Sequence, residues 1–148
     1  MHHRLKICAG LLSLVISGGA ASAAEFSCDI AKKGRTVTLT QTGKQVSYAY
    51  GKKNTAPELA LTVPLSSVEL YAWDGFGRHH THSIGVPNGQ YLYTVYTSLD
   101  TMEQKISTGI AIEKNGEFIT DLQCDPKTIR GDLEQMVLDL KPSSTPSN

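Results

Sequence analysis

The sequence predicts an all-β protein: a small antiparallel barrel or sandwich of about eight strands with one C-terminal helix. Three observations carry that expectation. Apolar and polar residues alternate with a period of two through most of the chain, as in strands with one buried and one wet face. The connections are short and rich in Gly and Asn, which suits hairpins and leaves no room for the helical crossovers of a parallel sheet. After Cys124 the apolar spacing changes to that of a helix.

The N-terminus is set apart from this pattern. Met1 to about Ala24 reads as a secretory signal peptide, with Arg4 and Lys6 ahead of an apolar run from Ile7 to about Ile16. Ala21-Ser22-Ala23 fits the small-x-small cleavage rule, and so does Ser22-Ala23-Ala24 one residue later. The apolar run is too short to span the roughly 30 Å of a bilayer's hydrocarbon, so no membrane anchor is expected. Cys8 lies inside that run and Cys28 follows Phe26-Ser27, so neither is placed for lipidation after cleavage. The peptide has a bacterial character, and the expected destination is the periplasm.

Residues 25–141 form one domain by length, and 142–148 a polar, disordered tail. Removing Arg4 and Lys6 from 14 basic residues leaves 12 against 14 acidic ones, a net charge of −2. Such a domain has no global field for nucleic acid or anionic lipid. Two cysteines remain, Cys28 and Cys124. In an oxidising compartment they read as one disulfide near the two ends of the domain. The competing reading, a metal or catalytic thiol, lacks a nearby His or second Cys.

In chain order, Glu25–Ala31 is a first strand and Lys32-Lys33-Gly34 a turn. Arg35–Gln41 alternates threonines with Val37 and Leu39. Gln45–Tyr50 puts Val46, Tyr48 and Tyr50 on one face, and Gly51–Pro57 is a polar loop carrying Lys52 and Lys53. Leu59, Leu61 and Val63 alternate inward as far as Pro64, and Val68–Trp73 is a fifth strand. The segment from Arg78 to Tyr96 reads as a hairpin turning at Pro87-Asn88-Gly89, since Asn-Gly tolerates the positive φ of a type I′ turn. Ser98–Gln104 is polar and reads as a longer loop. Lys105–Glu113 is a strand, Asn115-Gly116 a second hairpin turn, and Glu117–Gln123 the last strand. Ile129, Leu133, Met136, Val137 and Leu140 then define one helical face, with Asp125 as cap, Pro126 in the first turn and Pro142 as the stop. Gly131 argues against that helix by about 1 kcal/mol.

Phe26-Ser27-Cys28-Asp29, Thr36-Val37-Thr38-Leu39 and Gln45-Val46-Ser47-Tyr48-Ala49-Tyr50 resemble the opening of the bacterial C-type lysozyme inhibitors of the MliC/PliC type. The resemblance implies a small β-barrel whose N-terminal cysteine pairs with one near the last strand, as Cys28 and Cys124 would. It also implies a periplasmic or membrane-anchored inhibitor. The family's Ser-Gly-x-x-Tyr inhibitory loop has no counterpart here: Ser107-Thr108-Gly109 does not match it. Only the cysteine pair carries over.

The chemistry-bearing residues cluster in the middle of the chain. His80 and His82 point the same way on a strand, about 6–7 Å apart, and are candidate metal ligands with Asp74 or His79 as a third. The bland alternative is a polar strand end. Paired carboxylates for glycoside hydrolysis are not evident, although Asp74, Asp100 and Glu103 sit in loops. No Gly-x-Ser-x-Gly elbow is present, and neither enzymatic activity nor a cofactor is expected. Trp73-Asp74-Gly75-Phe76-Gly77-Arg78 is the expected partner-binding loop, with Trp73, Phe76 and Arg78 as contacts, because aromatics and Arg dominate binding hot spots. The four lysines 32, 33, 52 and 53 are either a solvated surface or a basic rim facing an acidic partner or glycan. Together these readings predict a periplasmic module that binds a protein, possible targets being lysozymes or other cell-wall hydrolases. A metal-binding protein using the histidine cluster is the alternative.

Overall fold

The computed structural model describes residues 23–141. The signal peptide expected over Met1–Ala24 lies outside this range up to residue 22, as does the tail at 142–148. Among the described residues nine strands form: β1 (Ala23–Ile30), β2 (Arg35–Thr42), β3 (Gln45–Gly51), β4 (Leu59–Pro64), β5 (Glu69–Ala72), β6 (His79–Asn88), β7 (Tyr91–Asp100), β8 (Lys105–Lys114) and β9 (Glu117–Gln123). One helix, α1 (Leu133–Leu140), follows. The strands make two antiparallel sheets, β1-β2-β3-β4 and β5-β6-β7-β8-β9, so of the two expected architectures the protein is the sandwich.

Alternation decides what the sheets bury. Phe26, Cys28, Ile30, Val37, Leu39, Val46 and Tyr48 face inward from the first sheet, and Ile84, Val86, Val95 and Ile110 from the second. Tyr48 stacks on Tyr93 across the sandwich, with ring centroids 5.2 Å apart. Leu133, Met136 and Val137 of α1 join the same core, and Ile129 and Leu140 pack at its margin. Cys28 and Cys124 form the disulfide, with Cα atoms 5.6 Å apart. It ties the middle of β1 to the residue after β9.

The outer edge of β1 is covered. Asp125 N donates to Asp29 O at 2.8 Å, and Ser27 and Arg130 exchange two backbone hydrogen bonds at 2.9 and 2.8 Å. This pairing explains why the helix is shorter than its apolar spacing predicts. Residues 124–130 run along β1 through one 3-10 turn, satisfying edge groups that a longer helix would leave open. Gly131, at φ 84°, then turns the chain where a Cβ would collide with Glu25 O. Asp132, not Asp125, caps α1, its carboxylate accepting from Gln135 N at 3.0 Å. Asp125 instead caps a single 3-10 turn, Pro126–Thr128.

Two further expectations change. The hairpin between β6 and β7 pairs Asn88 with Tyr91, so its two-residue turn is Gly89-Gln90, one position later than Asn-Gly predicts. Gly89 alone has positive φ there, the pattern of a type II′ turn. Between β8 and β9, Asn115 and Gly116 both have positive φ and form the expected turn. Ser98–Gln104 is not one long loop: β7 continues through Asp100, and only Thr101–Gln104 turns. β7 is paired on both sides, and its hydroxyls find cross-strand partners, Ser98 with Thr81 at 2.7 Å and Thr97 with Thr108 at 3.2 Å.

Candidate functional site

β5 ends at Ala72, leaving Trp73–Arg78 as the connection to β6. Gly75 and Gly77 both sit at positive φ, 96° and 87°, and allow a tight protruding path. Side chains brace it from within. Trp73 Nε1 donates to Phe76 O at 2.7 Å, and Phe76 N donates to Asp74 Oδ1 at 3.1 Å. The Trp73 ring stacks on His80 with centroids 3.5 Å apart. With its backbone held on both sides, the Phe76 side chain stands 82% exposed.

The base of this loop is fastened to the turn after β7. Arg78 donates from Nε and Nη2 to both oxygens of Asp100, each at 2.6 Å, and Nη2 reaches Glu103 at 3.3 Å. Thr101 donates to Arg78 O from both its amide and its hydroxyl, at 3.1 and 2.9 Å. Met102 N and Glu103 N both donate to Asp100 Oδ1. The Arg78 guanidinium, aided by these backbone donors, holds the Asp100 carboxyl well below the usual carboxylate range. Met102, at the tip of the clamped turn, and Ile106, just beyond it in β8, are also largely exposed. Apolar side chains from two locked connections therefore reach solvent at one end of the second sheet.

Behind the loop lies a cleft of about 260 Å³, lined by Trp73, His80, His82, Thr97, Leu99, Ile106 and Glu134. A second cleft of about 440 Å³ shares Thr97, Ile106 and Glu134 with it and extends under the first turn of α1. His82 is buried, its Nε2 4.0 Å from Glu134 Oε1. Its Nδ1 is buried with no hydrogen-bond partner among the described residues. The Nε2 side of the imidazole faces the Glu134 carboxylate, and the hydroxyls of Thr97 and Thr108 beside it bond to each other.

The residues expected from sequence separate as follows. Trp73, His80 and His82 share the cleft wall. Asp74 is directed to Phe76 N and does not line that cleft, and His79 lines a different hollow with Asp100 and Glu103. Among the described residues no group of three or more His, Cys, Asp or Glu side chains stands close enough to hold a metal ion. Arg78 is exposed but engaged by two carboxylates, so its place is at the loop's root, with Phe76 at the tip. Sequence reasoning missed Asp100 as the anchor of this loop, and Met102, Ile106 and Glu134 as its surroundings. The signal was present in part: an Arg after a glycine loop and an Asp before a turn, 22 positions apart. No family model, curated protein or solved structure matches the chain.

Proposed function

We propose that this protein is a secreted binding module that holds a protein partner through the Phe76 end of the second sheet, and that the partner is a lysozyme or another cell-wall hydrolase, which it inhibits. The observation that carries the reading is Phe76, 82% exposed on a loop whose backbone is hydrogen-bonded at Phe76 itself, by the Trp73 and Asp74 side chains, and at Arg78, by Thr101. An exposed aromatic costs hydration free energy, and a rigid mount spares the ordering entropy that binding otherwise consumes. Met102 and Ile106 enlarge the apolar contact, and Asp74 and Glu103 supply a polar rim. The choice of a wall hydrolase rests on the likeness of the N-terminal strands to the C-type lysozyme inhibitors. A periplasmic address rests on the signal-like N-terminus. The Cys28–Cys124 disulfide agrees with an oxidising compartment, and among the described residues no helix is long and apolar enough to cross a membrane.

The test is inhibition of cell-wall lysis. The purified domain is expected to suppress clearing of a cell-wall suspension by a lysozyme at near-stoichiometric ratio, and Phe76→Ser is expected to weaken this about thirtyfold while leaving the fold intact. Absence of binding to C-, G- and I-type lysozymes alike refutes the lysozyme assignment. An inhibitor whose potency is untouched by Phe76→Ser refutes the assignment of the surface.

A further inference from the structure

The first sheet gathers basic groups that lie far apart in sequence. The β1–β2 turn carries Lys32 and Lys33, the β3–β4 connection Lys52 and Lys53, and the strap along β1 carries Lys127 and Arg130. Strand register brings all three segments to one end: Ile30 pairs with Arg35, Thr36 with Gly51, and Asp125 bonds to Asp29. There a pocket of about 200 Å³ is lined by Ser27, Asp29, Thr36, Lys53, Lys127 and Arg130 among others.

The charges in this pocket do not cancel. Three cationic side chains face one carboxylate, and that carboxylate is occupied. Asp29 Oδ1 accepts from the Thr36 hydroxyl at 2.7 Å, and Oδ2 lies 4.0 Å from Lys53 Nζ. Nearby acids are committed elsewhere: Glu58 pairs with Arg35 at 2.7 Å, and Asp125 accepts from Lys127 N. Among the described residues, Lys127 and Arg130 have no carboxylate within ion-pair distance. The Ser27 hydroxyl likewise makes no hydrogen bond there, although its backbone is fixed to that of Arg130. Unpaired like charges on one concave surface repel each other and raise the local concentration of anions. A planar guanidinium fork flanked by ammonium groups matches a tetrahedral oxyanion, which accepts several charge-assisted hydrogen bonds at once.

We propose that this pocket binds a phosphate group, with Arg130 as the fork, Lys127 and Lys53 as flanking charges and the Ser27 hydroxyl as an additional donor. The site shares no residue with the Phe76 loop, so it stands or falls independently of the hydrolase reading. The phosphate is carried either by a soluble ligand or by a phospholipid headgroup; the recognition chemistry is the same.

The experiment is an NMR titration of the ¹⁵N-labelled domain with inorganic phosphate at low ionic strength, with sodium chloride at matched ionic strength as reference. Saturable shifts are expected at the amides of Ser27 and of residues 127–130 with phosphate and not with chloride. Arg130→Gln is expected to weaken binding about tenfold or more. Lys52→Ala, at the same end but outside the pocket, is expected to change it by less than about twofold. These side chains are exposed, so the variants should keep the parent's denaturation midpoint. Vesicles containing phosphatidylglycerol separate the two sources. Recruitment that phosphate competes away and Arg130→Gln removes assigns the site to a headgroup, and phosphate binding without recruitment assigns it to a soluble ligand. The proposal is overturned by the absence of saturable shifts, by an equal effect of chloride, or by equal weakening in Lys52→Ala and Arg130→Gln. Vesicle recruitment indifferent to Arg130→Gln overturns it too.

Discussion

Truncating Phe76 tests whether the loop is a presented contact or a cap on the core. The side chain is 82% exposed, so about a fifth of its surface is buried by the fold. Full burial of a Phe side chain is worth roughly 1.5–3 kcal/mol, so the buried fraction contributes about 0.3–0.6 kcal/mol. Its two hydrogen bonds within the loop use backbone atoms and survive substitution. Phe76→Ala is therefore expected to cost under about 1 kcal/mol of stability and, as a hot spot, to weaken partner binding by ~2 kcal/mol, about thirtyfold. Trp73→Ala offers the contrast. It removes an indole hydrogen bond worth about 1 kcal/mol and a ring stack worth about 0.5–1.5 kcal/mol, together with its partly buried area. A loss of roughly 2–3 kcal/mol is expected. Urea denaturation monitored by far-ultraviolet circular dichroism gives both values without any knowledge of the partner. A loss above ~2 kcal/mol for Phe76→Ala, or a smaller loss for Trp73→Ala than for Phe76→Ala, would show that the loop closes the core instead of presenting a contact.

Three further outcomes follow from the structure. The Asp100 carboxyl titrates lower in the folded chain than in the unfolded one, so its interactions stabilise above the ordinary carboxylate pKa of about 3.9 and are lost as pH falls through the folded value. Arg78→Met should lower the urea midpoint at neutral pH, and the gap to the parent should narrow as pH drops below about 4; a gap independent of pH would refute this role for the pair. Replacing Cys28 and Cys124 together by Ala opens a loop of 96 positions and is expected to cost about 4–5 kcal/mol, read from the same denaturation curves; an unchanged midpoint would contradict the staple. Gly131→Ala is expected to cost roughly 2–3 kcal/mol, because φ 84° is unfavourable for Ala and the added methyl meets Glu25 O; wild-type stability in this variant would contradict the described path between the β1 strap and α1.

The sequence by itself determined the all-β class, the disulfide pair, the positions of most strands and the apolar face that α1 presents. These follow from local rules. Alternation of period two records which face of a strand is buried, and Ile129, Leu133, Met136, Val137 and Leu140 reach the core whether or not every one of them is helical. Only the tertiary structure decided where the helix begins, because the free edge of β1 competes with helix formation for residues 124–130 and wins backbone hydrogen bonds that no local propensity records. It also decided that polar Ser98 and Asp100 lie in a strand, since hydroxyl partners and pairing on both sides come from β6 and β8. The candidate sites divide in the same way. The Trp73–Arg78 loop was legible from its glycines and aromatics. That Arg78 belongs to Asp100, that Asp74 turns away from the histidines, and that Glu134 approaches His82 depend on connections brought together by sheet register. Lys53, Lys127 and Arg130 likewise meet only because the strap after β9 lies along the edge of β1, and nothing in their spacing along the chain encodes that meeting.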